Sequence, residues 1–280
     1  MTPDLYAVLG NPVAHSRSPF IHAAFARQTG QQLEYGRVLC PLDGFAAAVR
    51  AFAGQGGRGC NVTVPFKFEV PALAAQLSAR ARLAGAANVL KLEPGGWQAD
   101  NTDGVGLLRD IEQGAGVALA GLRVLLVGAG GAGAGVLGPL LMARPAELVL
   151  VNRTPPKAQG LVERHAALAR EHSVALSARA LTDAGAAYDV VLNASASSLQ
   201  GATSPVPAAV LRRGALALDL MYGPAAAPFL DWARQAGAVP RDGLGMLVEQ
   251  AAEAFHFWRG VRPQTAPVLA ALRAELAVNP

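Results

Sequence analysis

Residues 123–133 read RVLLVGAGGAG, and this stretch decides the fold. The four apolar residues Val124–Val127 form a short buried-strand pattern, and Gly128, Gly130 and Gly133 follow at once in the spacing G-x-G-x-x-G. Glycine is needed there for a tight turn, for close approach of backbone to a pyrophosphate, and for packing of the next helix on the strand. The Ala/Gly/Leu residues that follow suit a helix, whose N-terminal N–H groups would face the anion. A second glycine frame, Gly133, Gly135 and Gly138, falls inside that helix and is set aside. The expectation is a nucleotide-binding βαβ unit; a Gly-rich structural turn is the plainer alternative.

The next apolar run, ELVLVNR (147–153), tests which nucleotide. A fold that takes NAD places Asp or Glu about 20 residues beyond the glycines, against the ribose hydroxyls. Here the strand ends in Asn152-Arg153-Thr154, with Lys157 just beyond. Two cations suit a 2′-phosphate through charge-assisted hydrogen bonds, so NADP is the expected cofactor. Were Arg153 and Lys157 merely solvated charges, they would sit at a helix start that mildly disfavours cations.

Outward from this core the alternation continues through a helix over 161–171, YDVVLNAS (188–195) and ALALDLMY (215–222). Upstream, LYAVLG (5–10), LEYGRVLC (33–40) and GCNVTV (59–64) alternate with helical segments over 21–29 and 45–52. The chain therefore reads as α/β with two domains. Residues 1–104 form a βαβ domain with a mostly parallel sheet, and residues 105–245 a Rossmann-like domain. The tail, 246–280, carries helical periodicity broken at Gly260 and Pro263, and is expected to return to the first domain as two helices.

With 280 residues, 52% of them hydrophobic, the chain can bury a substantial core. Its formal charge of +4 is spread without any basic run, which argues against nucleic acid, says little else about partners, and suits an anionic small molecule. Cys40 and Cys60 have no metal-ligand spacing and read as free thiols of a reducing compartment. No secretory pattern opens the sequence, so a cytoplasmic location is expected and the N-x-S/T triplets at Asn61, Asn152 and Asn193 are taken as incidental. The uncharged stretch 124–143 is too rich in glycine for a membrane span. No His, Cys or acid cluster has metal spacing, and no metal is expected.

Several polar residues stand where sites on α/β scaffolds usually lie, in turns and at strand ends. Ser16 and Ser18 sit in NPVAHSRSP, Lys67 follows the apolar NVTVPF, and Asp103 lies in DNTDGVG. Each has a plain reading: turn formers, a lysine snorkelling over apolar surface, a helix N-cap. His15 has no acidic neighbour in its motif, and a structural hydrogen bond in the turn is expected of it.

Taken together the segments carry more. GNPVAHSRSP (10–19), NVTVPFK (61–67), GAANV (85–89), DNTDGVG (100–106), VGAGGAG (127–133), NRT (152–154) and DGLGMLVEQAA (242–252) occur in an order that resembles the shikimate dehydrogenase family over nearly the whole chain. The resemblance implies NADP-dependent, reversible reduction of 3-dehydroshikimate to shikimate. It assigns Lys67 and Asp103 to catalysis, Lys67 exchanging a proton with the substrate oxygen and Asp103 holding the ammonium and bonding a ring hydroxyl. Ser16, Ser18, Thr63, Asn88, Tyr222 and Gln250 would bind the ring acid. Gly128, Gly130, Gly131, Ala132, Gly133, Asn152, Arg153, Thr154, Lys157, Met221 and Gly243 would bind NADP. The protein would be a monomer or homodimer without nucleic-acid or membrane partners. Two departures stand out: GAANV where the family more often has GAVNT, and Gly133 where Ser or Ala is usual. A quinate/shikimate dehydrogenase of broader specificity is the nearest alternative activity. A non-catalytic sensor of the ring acid is the alternative of another class, disfavoured by the presence of both Lys67 and Asp103.

Overall fold

A computed structural model describes residues 2–198 and 204–278. In chain order the elements are β1 Asp4–Gly10, α1 Ser18–Thr29, β2 Leu33–Leu39, α2 Phe45–Gly54, β3 Gly57–Val62, β4 Gln76–Leu77, α3 Ala79–Ala84, β5 Val89–Lys91, β6 Gln98–Asp100 and α4 Asp103–Arg109. They continue with β7 Arg123–Val127, α5 Gly131–Met142, β8 Glu147–Asn152, α6 Pro155–Glu171, β9 Ala175–Ala180, β10 Tyr188–Asn193, β11 Leu211–Asp219, α7 Ala227–Gln235, β12 Val239–Arg241, α8 Leu244–Arg259 and α9 Ala266–Val278. The chain divides into two compact units, Met1–Gly106 with Leu247–Asn279, and Leu107–Met246.

The first unit holds a six-stranded sheet in the order β2-β1-β3-β5-β6-β4. Three of the five pairings are parallel, and the antiparallel ones are the two made by β5. Its core includes Leu9, Phe25, Phe45, Phe66, Leu90 and Phe255, all fully buried. Phe45 and Phe66 stack with ring centroids 4.7 Å apart, which seats the turn carrying Lys67 on α2. α8 lies against this sheet: Trp258 Nε1 donates to the Leu90 carbonyl at 2.9 Å, and Arg259 pairs with Asp4 at 2.5 Å. Gly59 makes room for the indole, since a Cβ there would lie 2.6 Å from Trp258 Nε1.

The second unit is a six-stranded, wholly parallel sheet ordered β9-β8-β7-β10-β11-β12. Counted within the unit, that is 3-2-1-4-5-6, the doubly wound order of dinucleotide-binding folds. Its inner strands are apolar on both faces, as sheets covered on two sides require: Val124–Val127, Leu148–Val151 and Val190–Leu192 are all buried. Strand order reverses between β7 and β10, and the crevice at their carboxyl ends is where such sheets bind ligands. The uncharged stretch 124–143 resolves into β7, a turn and α5, and no helix among the described residues is long and apolar enough to cross a membrane.

Candidate active site

In the first unit three short segments converge on Asn88. β3 runs into Thr63 and a single 3-10 turn, Phe66–Phe68, that carries Lys67. β6 ends at Asp100 and leads into α4, whose first residue is Asp103. α3 ends at Gly85, in the left-handed region at φ 62°, and the chain turns back to present Asn88 before β5. The backbone pins these together, with Ala87 N–H donating to the Lys67 carbonyl and Asn88 N–H to the Asp100 carbonyl.

Lys67 Nζ lies 2.5 Å from Asp103 Oδ2, and the two side chains are only 12% and 5% exposed. The plain reading of Lys67 as a snorkelling cation therefore gives way to a buried ion pair, which requires good geometry to be tolerated. Asp103 Oδ1 accepts from Asn88 Nδ2 at 2.9 Å, and the Asp103 N–H donates to Asn101 Oδ1 at 3.2 Å. Asn88 Nδ2 also faces Thr102 Oγ1 at 3.0 Å and Gln250 Oε1 at 3.1 Å. Asn88 Oδ1 accepts from Thr102 N–H at 2.8 Å. An amide nitrogen carries two hydrogens for these three acceptors, and the Thr102 hydroxyl, 3.3 Å from both Gln250 Oε1 and Asn88 Oδ1, supplies a third donor to the cluster. Each carboxyl or amide oxygen has two lone pairs, so Asp103 and Gln250 can still accept from a ligand that brings hydroxyl donors.

Ser16 and Ser18 are brought together, Oγ to Oγ at 3.2 Å, and the Ser18 N–H donates to Ser16 Oγ at 3.3 Å. Arg37, from β2, holds the turn by donating Nε and Nη2 to the Ser16 carbonyl at 3.1 and 2.6 Å. Thr63 is half-buried, and its methyl group packs so closely on Gly10 that a Cβ there would be 2.3 Å away. Tyr222 belongs to the second unit, at the start of the turn Gly223–Ala226. His15 is exposed and makes no hydrogen bond among the described residues, so the structural bond expected of it is absent.

Residues that sequence reasoning passed over hold the site in place. The Asp100 carboxylate accepts from Ser78 Oγ at 2.5 Å, from Arg80 Nε at 2.7 Å and from the Asn101 N–H at 2.7 Å. Arg80 Nη2 bonds Asp100 as well and reaches Glu253 on α8 at 3.1 Å. One guanidinium thus ties the segment bearing Asp103 to the helix bearing Gln250. The signal available was Asp100 itself, an acid closing a strand directly before Asn-Thr-Asp. Its partner Arg80 gives no local sign.

In the second unit the glycine turn closes β7. Gly128 adopts φ +110°, and a Cβ there would meet the Ala194 and Ser195 backbone at 2.9–3.0 Å. A Cβ on Gly133 would lie 2.0 Å from the Gly128 carbonyl oxygen, so the departure from Ser or Ala accompanies a very close approach. Gly130 caps α5 without any side-chain bond, leaving the first N–H groups of Gly131, Ala132 and Gly133 to an incoming acceptor. Asn152 Oδ1 accepts from Ala129 N–H at 3.1 Å and its Nδ2 donates to the Thr154 carbonyl at 3.0 Å, so its amide shapes the turn. Arg153 and Lys157 are exposed, and neither has an ion pair among the described residues. Gly243 N–H donates to the Met221 carbonyl at 2.8 Å. A bare helix N-terminus, a turn without side chains and two unpaired cations fit a dinucleotide bearing an extra phosphate. Among the described residues no group of three His, Cys, Asp or Glu is placed to hold a metal ion.

Comparison with known proteins points to one family. The models for the shikimate dehydrogenase substrate binding domain, for shikimate / quinate 5-dehydrogenase and for the shikimate 5′-dehydrogenase C-terminal domain match residues 8–90, 111–213 and 243–273. Shikimate dehydrogenase (NADP(+)) of Methylibium petroleiphilum is 67% identical over 277 residues, covering 97% of this chain and 94% of that protein. An Ael1 enzyme from Pseudomonas putida superposes with a TM-score of 0.85 at 49% identity, covering 96% and 98% of the two chains. Shikimate 5-dehydrogenase from Thermus thermophilus, solved with NADP(H) and shikimate, superposes with a TM-score of 0.83 at 32% identity, covering 97% and 99%.

Proposed function

The chain belongs to the shikimate dehydrogenase family, and from that premise we propose that it catalyses the NADPH-dependent, reversible reduction of 3-dehydroshikimate to shikimate. The observation that carries this reading is the buried Lys67–Asp103 pair set among neutral hydrogen-bonding side chains.

The bound dinucleotide supplies the hydride. The residues of this chain supply the rest. As a ketone is reduced, negative charge grows on its oxygen, and the Lys67 ammonium stabilises that charge and delivers the proton. Lysine suits this because its charge is compact and its proton can leave. Asp103 holds the ammonium through one oxygen and offers lone pairs to a ring hydroxyl. Gln250 Oε1, beside Asn88 Nδ2 and the Thr102 hydroxyl, takes a further hydroxyl. Each hydroxyl left unpaired in such a site would cost about 1–3 kcal/mol, which is how the pocket selects a polyol.

Ser16 and Ser18 serve the carboxylate as hydroxyl donors, on a turn that Arg37 stiffens. Thr63 completes the substrate wall, and the assignment of Tyr222 to the substrate rests on the family resemblance. For the cofactor, Gly128–Gly133 take the pyrophosphate, Arg153 and Lys157 the 2′-phosphate with Asn152 and Thr154 shaping their loop, and Met221 and Gly243 the far edge. Cys40 and Cys60 are both buried and unpaired, and burial pushes the Cys60 thiol up, so neither serves as a nucleophile. Free thiols accord with a cytoplasmic enzyme.

The test is shikimate-dependent reduction of NADP+ by the purified protein, followed by absorbance of the reduced nicotinamide. Turnover with shikimate supports the reading. Binding of shikimate without turnover, with either NADP+ or NAD+, would overturn it in favour of a sensor.

A further inference from the structure

In the second unit, the loops leaving β7, β10 and β11 meet around one acid that the reaction does not use. Asp219, the last residue of β11, is fully buried, as are Asn193 at the end of β10 and, at 1% exposure, Ser198 beyond it. Asp219 Oδ2 accepts from Ser198 Oγ at 2.5 Å and from Asn193 Nδ2 at 3.1 Å, while Oδ1 accepts from the Met221 N–H at 2.9 Å. Asn193 passes the constraint on: its Oδ1 accepts from both the N–H and Oγ of Ser195, at 3.2 and 2.7 Å. The Ala194–Ser195 backbone is in turn what Gly128 packs against, and Met221 is what Gly243 bonds.

We propose that Asp219 is a positioning residue for the dinucleotide, fixing residues 194–198 after β10 and the turn after β11 against the glycine turn so that cofactor affinity depends on a buried carboxylate. The inference rests on the cofactor reading given above. Both loops emerge at the carboxyl ends of their strands, β10 bordering the topological switch and β11 next to β10, on the side of this fold where a ligand lies. Burial pushes the Asp219 carboxyl above its ordinary range, and the bonds from Ser198, the Met221 N–H and Asn193 pull it back. Keeping an acid in so dry a place is costly, and the three donors it gathers are what offset the cost.

The geometry makes a sharp test. A carboxamide in this position has one acceptor and one NH2. Whichever way it is turned, its NH2 faces another donor, either the Met221 N–H, fixed in the backbone, or the Asn193 amide, which cannot flip without giving up its bonds from Ser195. Asp219→Asn should therefore release one loop or the other without changing shape or volume.

The experiment is calorimetric titration of the full-length protein with NADP+ and, separately, with shikimate. Loss of a hydrogen bond to a charged group predicts that Asp219→Asn raises the Kd for NADP+ by about 10- to 100-fold. The Kd for shikimate should rise less than that for NADP+, since of the residues assigned to shikimate only Tyr222 lies on either loop, whereas general loosening of the protein would weaken both alike. Ser198→Ala removes one donor and should raise the NADP+ Kd by about 3- to 10-fold; it carries the test if Asp219→Asn does not fold. Undiminished NADP+ binding by the folded variants, or equal losses for both ligands, overturns the role of Asp219. Failure of the unaltered protein to bind NADP+ overturns instead the cofactor reading beneath it.

Discussion

Replacing His22 with phenylalanine should remove most of the sensitivity of the first unit to mild acid. His22, on α1, is fully buried, and neither ring nitrogen has a hydrogen-bond partner. Its neighbours are aromatic: Tyr35 stacks on it with centroids 4.3 Å apart, and Trp258, Phe25 and Phe255 lie at 5.3, 6.0 and 6.2 Å. Burial lowers its pKa from 6.5 to about 3, with the nearby Asn61 amide offsetting a little of the shift. The sign follows from linkage. Between pH 6.5 and 3 the unfolded chain binds a proton at this ring and the folded chain does not, so stability is full above the unfolded pKa and falls as pH falls.

At about 1.36 kcal/mol per pH unit, the loss between pH 7 and pH 5 comes to about 2 kcal/mol, and by pH 4 to about 3 kcal/mol. The window from pH 7 to 5 lies above the range in which most carboxylates titrate. Burial also lowers His165, but that residue sits in the second unit and is common to both proteins, so it cancels in the difference. Urea unfolding of wild type and His22→Phe at pH 7, 6 and 5, followed by tryptophan fluorescence, measures the term directly. Trp258 beside the ring reports on this unit. His22→Phe should lose about 2 kcal/mol less than wild type over that range. Identical slopes for the two proteins would show that His22 protonates in the folded state, and the account of its surroundings would fail.

Three other outcomes are expected. Lys67→Ala should lower kcat by about 100- to 10,000-fold with KM for shikimate much less changed, and a near-normal kcat would remove Lys67 from proton transfer. Arg153→Ala should raise KM for NADP+ about tenfold or more and leave KM for NAD+ nearly unchanged, because only the 2′-phosphate distinguishes the two; equal losses would refute phosphate reading. Arg80→Met leaves Asp100 buried without its cation and should cost about 3 kcal/mol or more in urea unfolding, whereas an unaltered midpoint would show the pair to be inert.

The second unit was largely legible because its signals are local. Val124–Val127, the glycine spacing and the Asn152-Arg153 strand end each announce themselves within a dozen residues, and a parallel sheet covered on both faces makes its strands continuous apolar runs. β9 escaped notice because ALSARA is half-exposed at the sheet edge and carries no apolar run. In the first unit, β4, β5 and β6 are two or three residues long, shorter than any periodicity can register. The reversal of β5 was equally hidden, since strand direction depends on partners found only after folding.

For the site, residue type was legible and remaining hydrogen-bonding capacity was not. Asn152 and Arg153 are adjacent, both polar, and both match the NADP pattern, yet the Asn152 amide is already bonded to Ala129 and Thr154 while the Arg153 guanidinium has no ion pair among the described residues. The first keeps one N–H and one lone pair; the second still has five N–H groups to offer a phosphate. The same distinction separates Asp100, whose carboxylate is filled by Ser78, Arg80 and Asn101, from Asp103, which bonds Lys67 and Asn88 and keeps lone pairs for a substrate hydroxyl. Two acids three residues apart are thus divided, one carboxylate filled by its partners and one with lone pairs to spare. The division is set by partners 20 and 36 positions away along the chain, Arg80 and Lys67, whose pairing no local pattern records.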